Sequence, residues 1–187
     1  MKKSLGKKTI LFPSPILIVC SYAADGTPNA MNVAWGGIAC SEPPAVAISV
    51  RETRKTFENI MTQKAFTVCI PSAKYIKEAD YFGVVSGKNE NKFKTTGLTP
   101  VKADHVNAPY IKEFPLALEC RLLQTVKLGS HTQIIGEIVD VKADETILNA
   151  KGFPDIEKMQ PCVFDPGTSS YYGSAKFLTQ AFQAGKK

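Results

Sequence analysis

The chain has 187 residues, 44% of them apolar, and 23 Lys plus Arg stand against 17 Asp plus Glu for a net charge of +6. That is enough apolar chain for one domain with a sizeable core, and no linker-like stretch divides it, so we read 1–187 as a single domain. The basic balance favours an anionic ligand or partner, yet part of it is terminal (Lys2, Lys3, Lys7, Lys8, Lys186, Lys187), and without interleaved aromatic and basic residues or a recognition-helix pattern a nucleic-acid binder is disfavoured.

Taken in order, the basic Met1 to Lys8 and the apolar Ile10 to Val19 superficially resemble a secretory signal. Pro13 and Pro15 interrupt the apolar part, and Val19 before Cys20 is too large for a lipoprotein-type cleavage site. Pro15 to Ala23 therefore reads as a buried strand. Asp25-Gly26 then offers the positive φ of a tight turn, so Thr27 to Trp35 should return antiparallel to it. Pro43-Pro44 bars a helix immediately before Ala45 to Val50, a further strand. Thr53 or Thr56 is placed to cap a short helix carrying Phe57, Ile60 and Met61 at i, i+3, i+4 spacing. Ala65 to Ile70 is a strand by length and β-branching. Ser72 is placed to cap a second helix with Tyr75, Ile76, Ala79 and Phe82 on one stripe, stopping at Gly83.

Ser86 to Gly97 reads as a polar surface loop. Leu116 to Val126 and Gln133 to Val141 are the two strongest antiparallel candidates, with Leu116, Leu118, Cys120 and Leu122 alternating on one and Ile135, Glu137, Val139 and Val141 on the other. A short helical stretch, Pro161 to Phe164 and the pair Tyr171-Tyr172 complete the chain. Six or more antiparallel strands with short helices imply a mainly β protein closed as a barrel, because closure removes exposed strand edges. No apolar run reaches the roughly 20 residues needed to span a bilayer. The five cysteines, Cys20, Cys40, Cys69, Cys120 and Cys162, are odd in number, widely spaced and free of any CxxC. Reduced, mostly buried thiols in a cytoplasmic protein follow, with neither a metal site nor a disulfide framework.

Chemistry concentrates between Asn29 and Met61. Arg51, Arg54, Lys55 and Thr56 sit where a strand meets a helix start, whose free amides and dipole favour an anion such as phosphate; a solvated basic edge is the plainer alternative. Asn29 and Asn32 each carry one acceptor and two donors, suited to the edge of a pyrimidine-like ring, although turn asparagines are commoner. Trp35 offers a flat stacking face, or else core packing. His131, in the turn Gly129-Ser-His-Thr, reads alone as a surface residue. Neither GxGxxG nor a P-loop occurs, so a Rossmann or P-loop nucleotide site is unsupported. No Ser-His-Asp, Cys-His or paired-carboxylate constellation assembles, which leaves any chemistry to a cofactor rather than to catalytic side chains.

In order and spacing, these landmarks resemble the flavin reductase-like, FMN-binding split-barrel family: Pro15-Ile-Leu-Ile-Val with Asp25-Gly26, Asn29-Ala-Met-Asn-Val-Ala-Trp35, Glu42-Pro-Pro44 into Ala47-Ile-Ser-Val50, Arg54-Lys-Thr56, Asn91-Lys-Phe93, Gly129-Ser-His131 with Gly136-Glu137, and Phe164 ahead of Tyr171-Tyr172. The resemblance implies a Greek-key split barrel with a few short helices, binding FMN. Asn29, Asn32 and Trp35, with backbone groups of Val33 and Ala34, would line the ring and ribityl chain. Arg51, Lys55 and Thr56 would hold the phosphate, with Lys92 reaching in. His131 and Phe164 would border the flavin, of their own subunit or across the interface of a homodimer. Many relatives carry an acid before the turn histidine, where this chain has Ser130. The function implied is electron transfer between protein partners, in sulfur-compound reduction such as that of thiosulfate, with an NAD(P)H-dependent flavin reductase as the alternative.

Overall fold

The N-terminal apolar run becomes the centre of the molecule. After the short β1 (Ser14–Pro15), β2 (Leu17–Tyr22) holds Ile18, Val19 and Cys20 fully buried. Both faces of this strand are covered. Ile18 and Cys20 join one apolar cluster with Cys69, Phe82 and Phe93, while Leu17 and Val19 join a second with Ile48, Ile60, Phe66 and Ile134. A strand buried on both faces has no polar side to show, which explains the unbroken run. The computed structural model describes residues 1–173, 176–183 and 185.

The hairpin closes as expected, with β3 (Pro28–Val33) antiparallel to β2 and the turn amide of Thr27 donating to Asp25 Oδ1 at 2.9 Å. Next come β4 (Gly36–Ser41), β5 (Pro44–Val50), helix α1 (Lys55–Gln63) and β6 (Ala65–Ile70). Helix α2 (Ile76–Val84) follows a 3-10 turn, and α3 (Lys92–Thr96) leads to the small pair β7 (Pro100–Lys102) and β8 (Pro109–Ile111). The long strands β9 (Leu116–Leu128) and β10 (His131–Ala143) precede α4 (Ile156–Met159), β11 (Val163–Asp165) and β12 (Ser170–Tyr172).

Seven strands form one sheet in the order β3-β2-β6-β9-β10-β5-β4. Its two edge strands, β3 and β4, are consecutive in the chain. Neighbouring strands lie about 4.8 Å apart, so a flat sheet of this width would separate its edges by roughly 29 Å. Ala34 and Trp35, the whole connection, reach only about 11 Å. The sheet must therefore curl until β3 and β4 approach each other at Ala34-Trp35, the seam of a split barrel whose two edge strands are not hydrogen-bonded to one another. A second sheet, β1-β11-β12, brings the C-terminal strands beside Ser14 and Pro15.

Several local expectations change. Arg54, not Thr53 or Thr56, is the N-cap of α1, and it makes no side-chain cap. Thr56 lies inside the first turn. Ser72 precedes the 3-10 turn without capping it through its side chain, and Gly83 sits within α2 rather than ending it. The expected loop from Ser86 to Gly97 contains α3, which forms because Asn91 accepts the Lys94 amide and because Phe93 is buried against Phe82. On β10 the inward positions are Thr132, Ile134 and Gly136, with Ile135 and Glu137 on the outward face; a bulge between Ile138 and Asp140 breaks the expected alternation before Val141, which pairs with Leu118. Four cysteines are buried, Cys40 is exposed and all five are free thiols. Among the described residues no helix is long and apolar enough to cross a membrane.

Candidate functional site

A trench runs along β3 and its extensions, from the barrel seam to the β2–β3 hairpin. At the seam a cavity of about 290 Å³ is lined by Asn32, Trp35, Ser49, Arg51, Arg54 and His131, with main chain of Val33 and Ala34. Val33's own side chain points into the core. A narrow crevice continues past Arg54 between Asn29, Lys55, Thr56, Gly87 and Lys92. On the other side, sharing Asn32, Ala34 and Gly83 with the first, a cavity of about 330 Å³ is walled by Phe164 and Tyr171. Every residue that the sequence singled out lines one of these three spaces.

The crevice is built for an anion. Arg54 stands at the N-cap without a side-chain bond to the helix; its carbonyl accepts the Phe57 amide at 3.1 Å, so the amides of Lys55 and Thr56 are the ones left for a ligand. Arg51, Arg54 and Lys55 surround that end, although Lys55 Nζ also contacts Glu58 at 2.7 Å. Thr56, 1% exposed, uses its hydroxyl as acceptor for Asn29 Nδ2 at 2.8 Å, which ties the helix to β3. Lys92 does more than reach in. Its Nζ, almost wholly buried, donates to the carbonyls of Ala30 at 2.8 Å and Phe82 at 2.9 Å, and so pins β3 to α2. An ammonium has three N–H donors, and one remains for the crevice. Burial, and after it the Arg54 cation, lower Lys92 from its ordinary 10.5 to about 8.

The ring-sized cavity has a different character. Asn32 donates Nδ2 to the Ala79 carbonyl at 3.0 Å, which fixes the amide and leaves its oxygen as an acceptor. Trp35 is 36% exposed, so it is a wall and not a core residue. His131, the first residue of β10, holds Nδ1 3.0 Å from Ser130 Oγ. Phe164 packs on Tyr171 with centroids 5.6 Å apart, and the Tyr171 hydroxyl donates to Asp80 Oδ1 at 2.6 Å. Burial, then that carboxylate, push the Tyr171 phenol well up.

Two glycines went unnoticed as site residues in the sequence. A Cβ on Gly83 would lie 3.3 Å from Asn32 Cβ, and one on Gly87 would overlap Asn29 Oδ1. Both asparagines can line the trench only because bare backbone faces them. The pairing is across space, and no local pattern in the sequence marks it. Met31, Ser49 and Asp80 also line the cavities without having drawn attention. Among the described residues no group of three or more His, Cys, Asp or Glu is arranged to hold a metal ion. What the trench fits is a planar heterocycle with a polar edge at one end and a phosphate at the other, joined by a flexible chain.

Comparison with known proteins agrees. Residues 9–166 match the family model described as flavin reductase like domain. The chain is similar over its full length to flavoredoxin of Desulfovibrio vulgaris (Miyazaki F), at 49% identity, covering 100% of both chains with a TM-score of 0.96. Flavoredoxin from Methanosarcina acetivorans is 28% identical with a TM-score of 0.92, over 100% of this chain and 98% of that one. A putative flavin reductase with a split barrel domain from Shewanella frigidimarina is 26% identical with a TM-score of 0.81, over 90% and 86% of the two chains.

Proposed function

Because the chain belongs to the flavin reductase-like family and has its split-barrel fold, we propose that it is an FMN-binding redox protein that carries electrons between protein partners. The observation behind this reading is the trench itself, which joins a ring-sized cavity to an uncapped helix start ringed by Arg51, Arg54 and Lys55. Bound there, FMN supplies the redox chemistry.

The protein's part is to hold and to tune. Arg51, Arg54, Lys55 and the first amides of α1 take the phosphate, with Thr56 and Asn29 fixing the wall behind it. Lys92 keeps β3 and α2 in register and lends one N–H. Asn32 and the main chain of Val33 and Ala34 meet the polar edge of the ring, Trp35 covers a face, and His131 and Phe164 close the rim. The cations near the ring favour negative charge in the cavity and so raise the potential of its occupant.

The edge strand β4 supports a homodimer: its residues are exposed, Ile38 at 71%, and a groove of about 540 Å³ runs beside Trp35, Gln133 and Ile135. An open, apolar strand edge is a ready pairing surface. The finer expectation, service in sulfur-compound reduction such as that of thiosulfate, rests on the family resemblance alone.

One feature favours a second reading as an NAD(P)H-dependent flavin reductase. The 330 Å³ cavity beside the ring cavity gives a second ligand room against Phe164 and Tyr171. The two readings separate in one experiment. The purified yellow protein is mixed anaerobically with NADH or NADPH and its visible spectrum followed; a carrier bleaches slowly and turns over little without a partner. Steady oxidation with free flavin present establishes the reductase, and a colourless protein that takes up no FMN removes both.

A further inference from the structure

The space of about 330 Å³ beside the ring cavity has a chemistry of its own. Two pairs of residues make its walls. Asp80 and Gly83, three apart on α2, fall on one face of that helix, and Phe164 and Tyr171 stand directly opposite each other across β11 and β12. The Tyr171 hydroxyl donates to Asp80 Oδ1 at 2.6 Å and so joins the two walls. Gly83 adds no side chain to the boundary with the ring cavity, and Ile16, 2% exposed, gives an apolar floor.

We propose that this space is a second ligand site selective for small planar cations, with Asp80 setting the charge preference; this rests on the placement of the flavin ring in the adjoining cavity. The lining holds one carboxylate, that of Asp80, and no Lys, Arg or His. Among the described residues Asp80 makes no ion pair. Tyr171 does not offset its charge, because burial, and after it the carboxylate itself, hold the phenol protonated. The cations of the trench belong to the neighbouring space: Arg51, Arg54 and His131 line the ring cavity, where a phosphate dianion offsets the two arginines. A carboxylate beside two aromatic rings is the combination that recognises a cation, charge on one side and π-faces on the other. An occupant that stacks on a flat ring and also meets Phe164 and Tyr171 is itself flat. The volume is at the small end of ligand sites, roughly 300–1,000 Å³, and suits a bicyclic aromatic better than a long chain.

The test titrates the FMN-loaded full chain, at mildly alkaline pH, with ligands of like shape and different charge: N-methylquinolinium, 2-methylquinoline and 2-naphthoate. The shift of the flavin's visible band reports binding. The cation should bind about tenfold more tightly than the neutral quinoline, and the naphthoate more weakly than either. Added salt should narrow that spread, which tests the charge in the native chain without any variant. Asp80→Asn keeps an acceptor for the Tyr171 hydroxyl and removes only the charge; it should bring cation and neutral ligand to within about threefold, the residue of the cation–π contact. Tyr171→Phe keeps the ring and should retain the preference. No band shift with any of the three ligands, naphthoate bound as tightly as the quinolinium, or a preference unchanged by salt and by Asp80→Asn overturns the proposal and leaves the FMN reading standing. If the chain takes up no FMN, both fall.

Discussion

The two ends of the trench are made in different ways. The phosphate end is centred on one continuous stretch, Arg54 to Thr56, at a helix start where the backbone itself supplies donors, with Lys92 behind it and Arg51 on the ring side. The ring end is gathered from Asn32 to Trp35 at the seam, Ser49 on β5, Gly83 on α2, His131 on β10 and Phe164 on β11. Local assembly under a buried lysine suits an end that must grip, because the donors are ordered before the ligand arrives and little entropy is lost on binding. Assembly from many segments suits an end that must discriminate and tune, because each segment can vary without disturbing the others. Affinity should therefore reside at the phosphate end and redox character at the ring end.

Lys92→Met tests the grip most severely. The variant keeps the apolar stem but leaves the carbonyls of Ala30 and Phe82 without their donor, and about 2–3 kcal/mol of stability should be lost in a denaturant titration, together with FMN affinity. Unchanged stability and affinity would remove Lys92 from both roles. Arg54→Ala comes next, with FMN bound roughly 10- to 100-fold more weakly and the barrel's stability little altered. If Trp35→Ala cost more affinity than Arg54→Ala, the division between the two ends would be wrong.

The pH dependence sharpens the same contrast. Lys92 is the buried titrating group of the crevice, faced by Arg54 from the α1 cap, by Cys20 from β2 and by Glu90 from the loop before α3. Phosphate favours its charged form, so above about pH 8 binding must take up a proton, and FMN affinity should fall by up to tenfold per pH unit. The flavin-free fold behaves oppositely. With the native value below the unfolded one, the unfolded chain holds more protons between about pH 8 and 10.5, so this group's penalty present below pH 8 is relieved as pH rises through that window. Isothermal titration across pH 7–10 and parallel urea melts should show these opposite slopes. The smallest effect on affinity is expected from His131→Ala, within about threefold, but with a displaced flavin absorption band and a shifted potential in a redox titration. A large affinity loss with an unmoved potential would reverse the assignment.

How legible the site was in the sequence follows the same division. Arg51 to Thr56 could be read directly, because strand, helix start and basic residues are neighbours in the chain. Asn29, Asn32 and Trp35 stood out by residue type, but their separation along the trench, one asparagine at the crevice and one at the ring, depends on how β3 lies against α2. Lys92 looked like a surface lysine in a polar loop; only the packing of α3 through Phe93 and Leu98 buries it. Gly83 and Gly87 act by what they lack, and an absent side chain announces nothing about what faces it. The barrel was suggested by the count of strands, whereas its closure depends on which strands are edges, a property of pairing that no local pattern encodes.

The two-residue link Ala34-Trp35 joins barrel edge to barrel edge and is also a wall of the ring cavity. Opening the seam and losing that wall are then a single event. A bound chromophore at such a place works as a built-in gauge of closure: its fluorescence should rise at the moment the first and last strands part, ahead of or together with the loss of sheet signal and never after it. Any insertion between Val33 and Gly36 would lengthen this tether and be visible first as loss of colour.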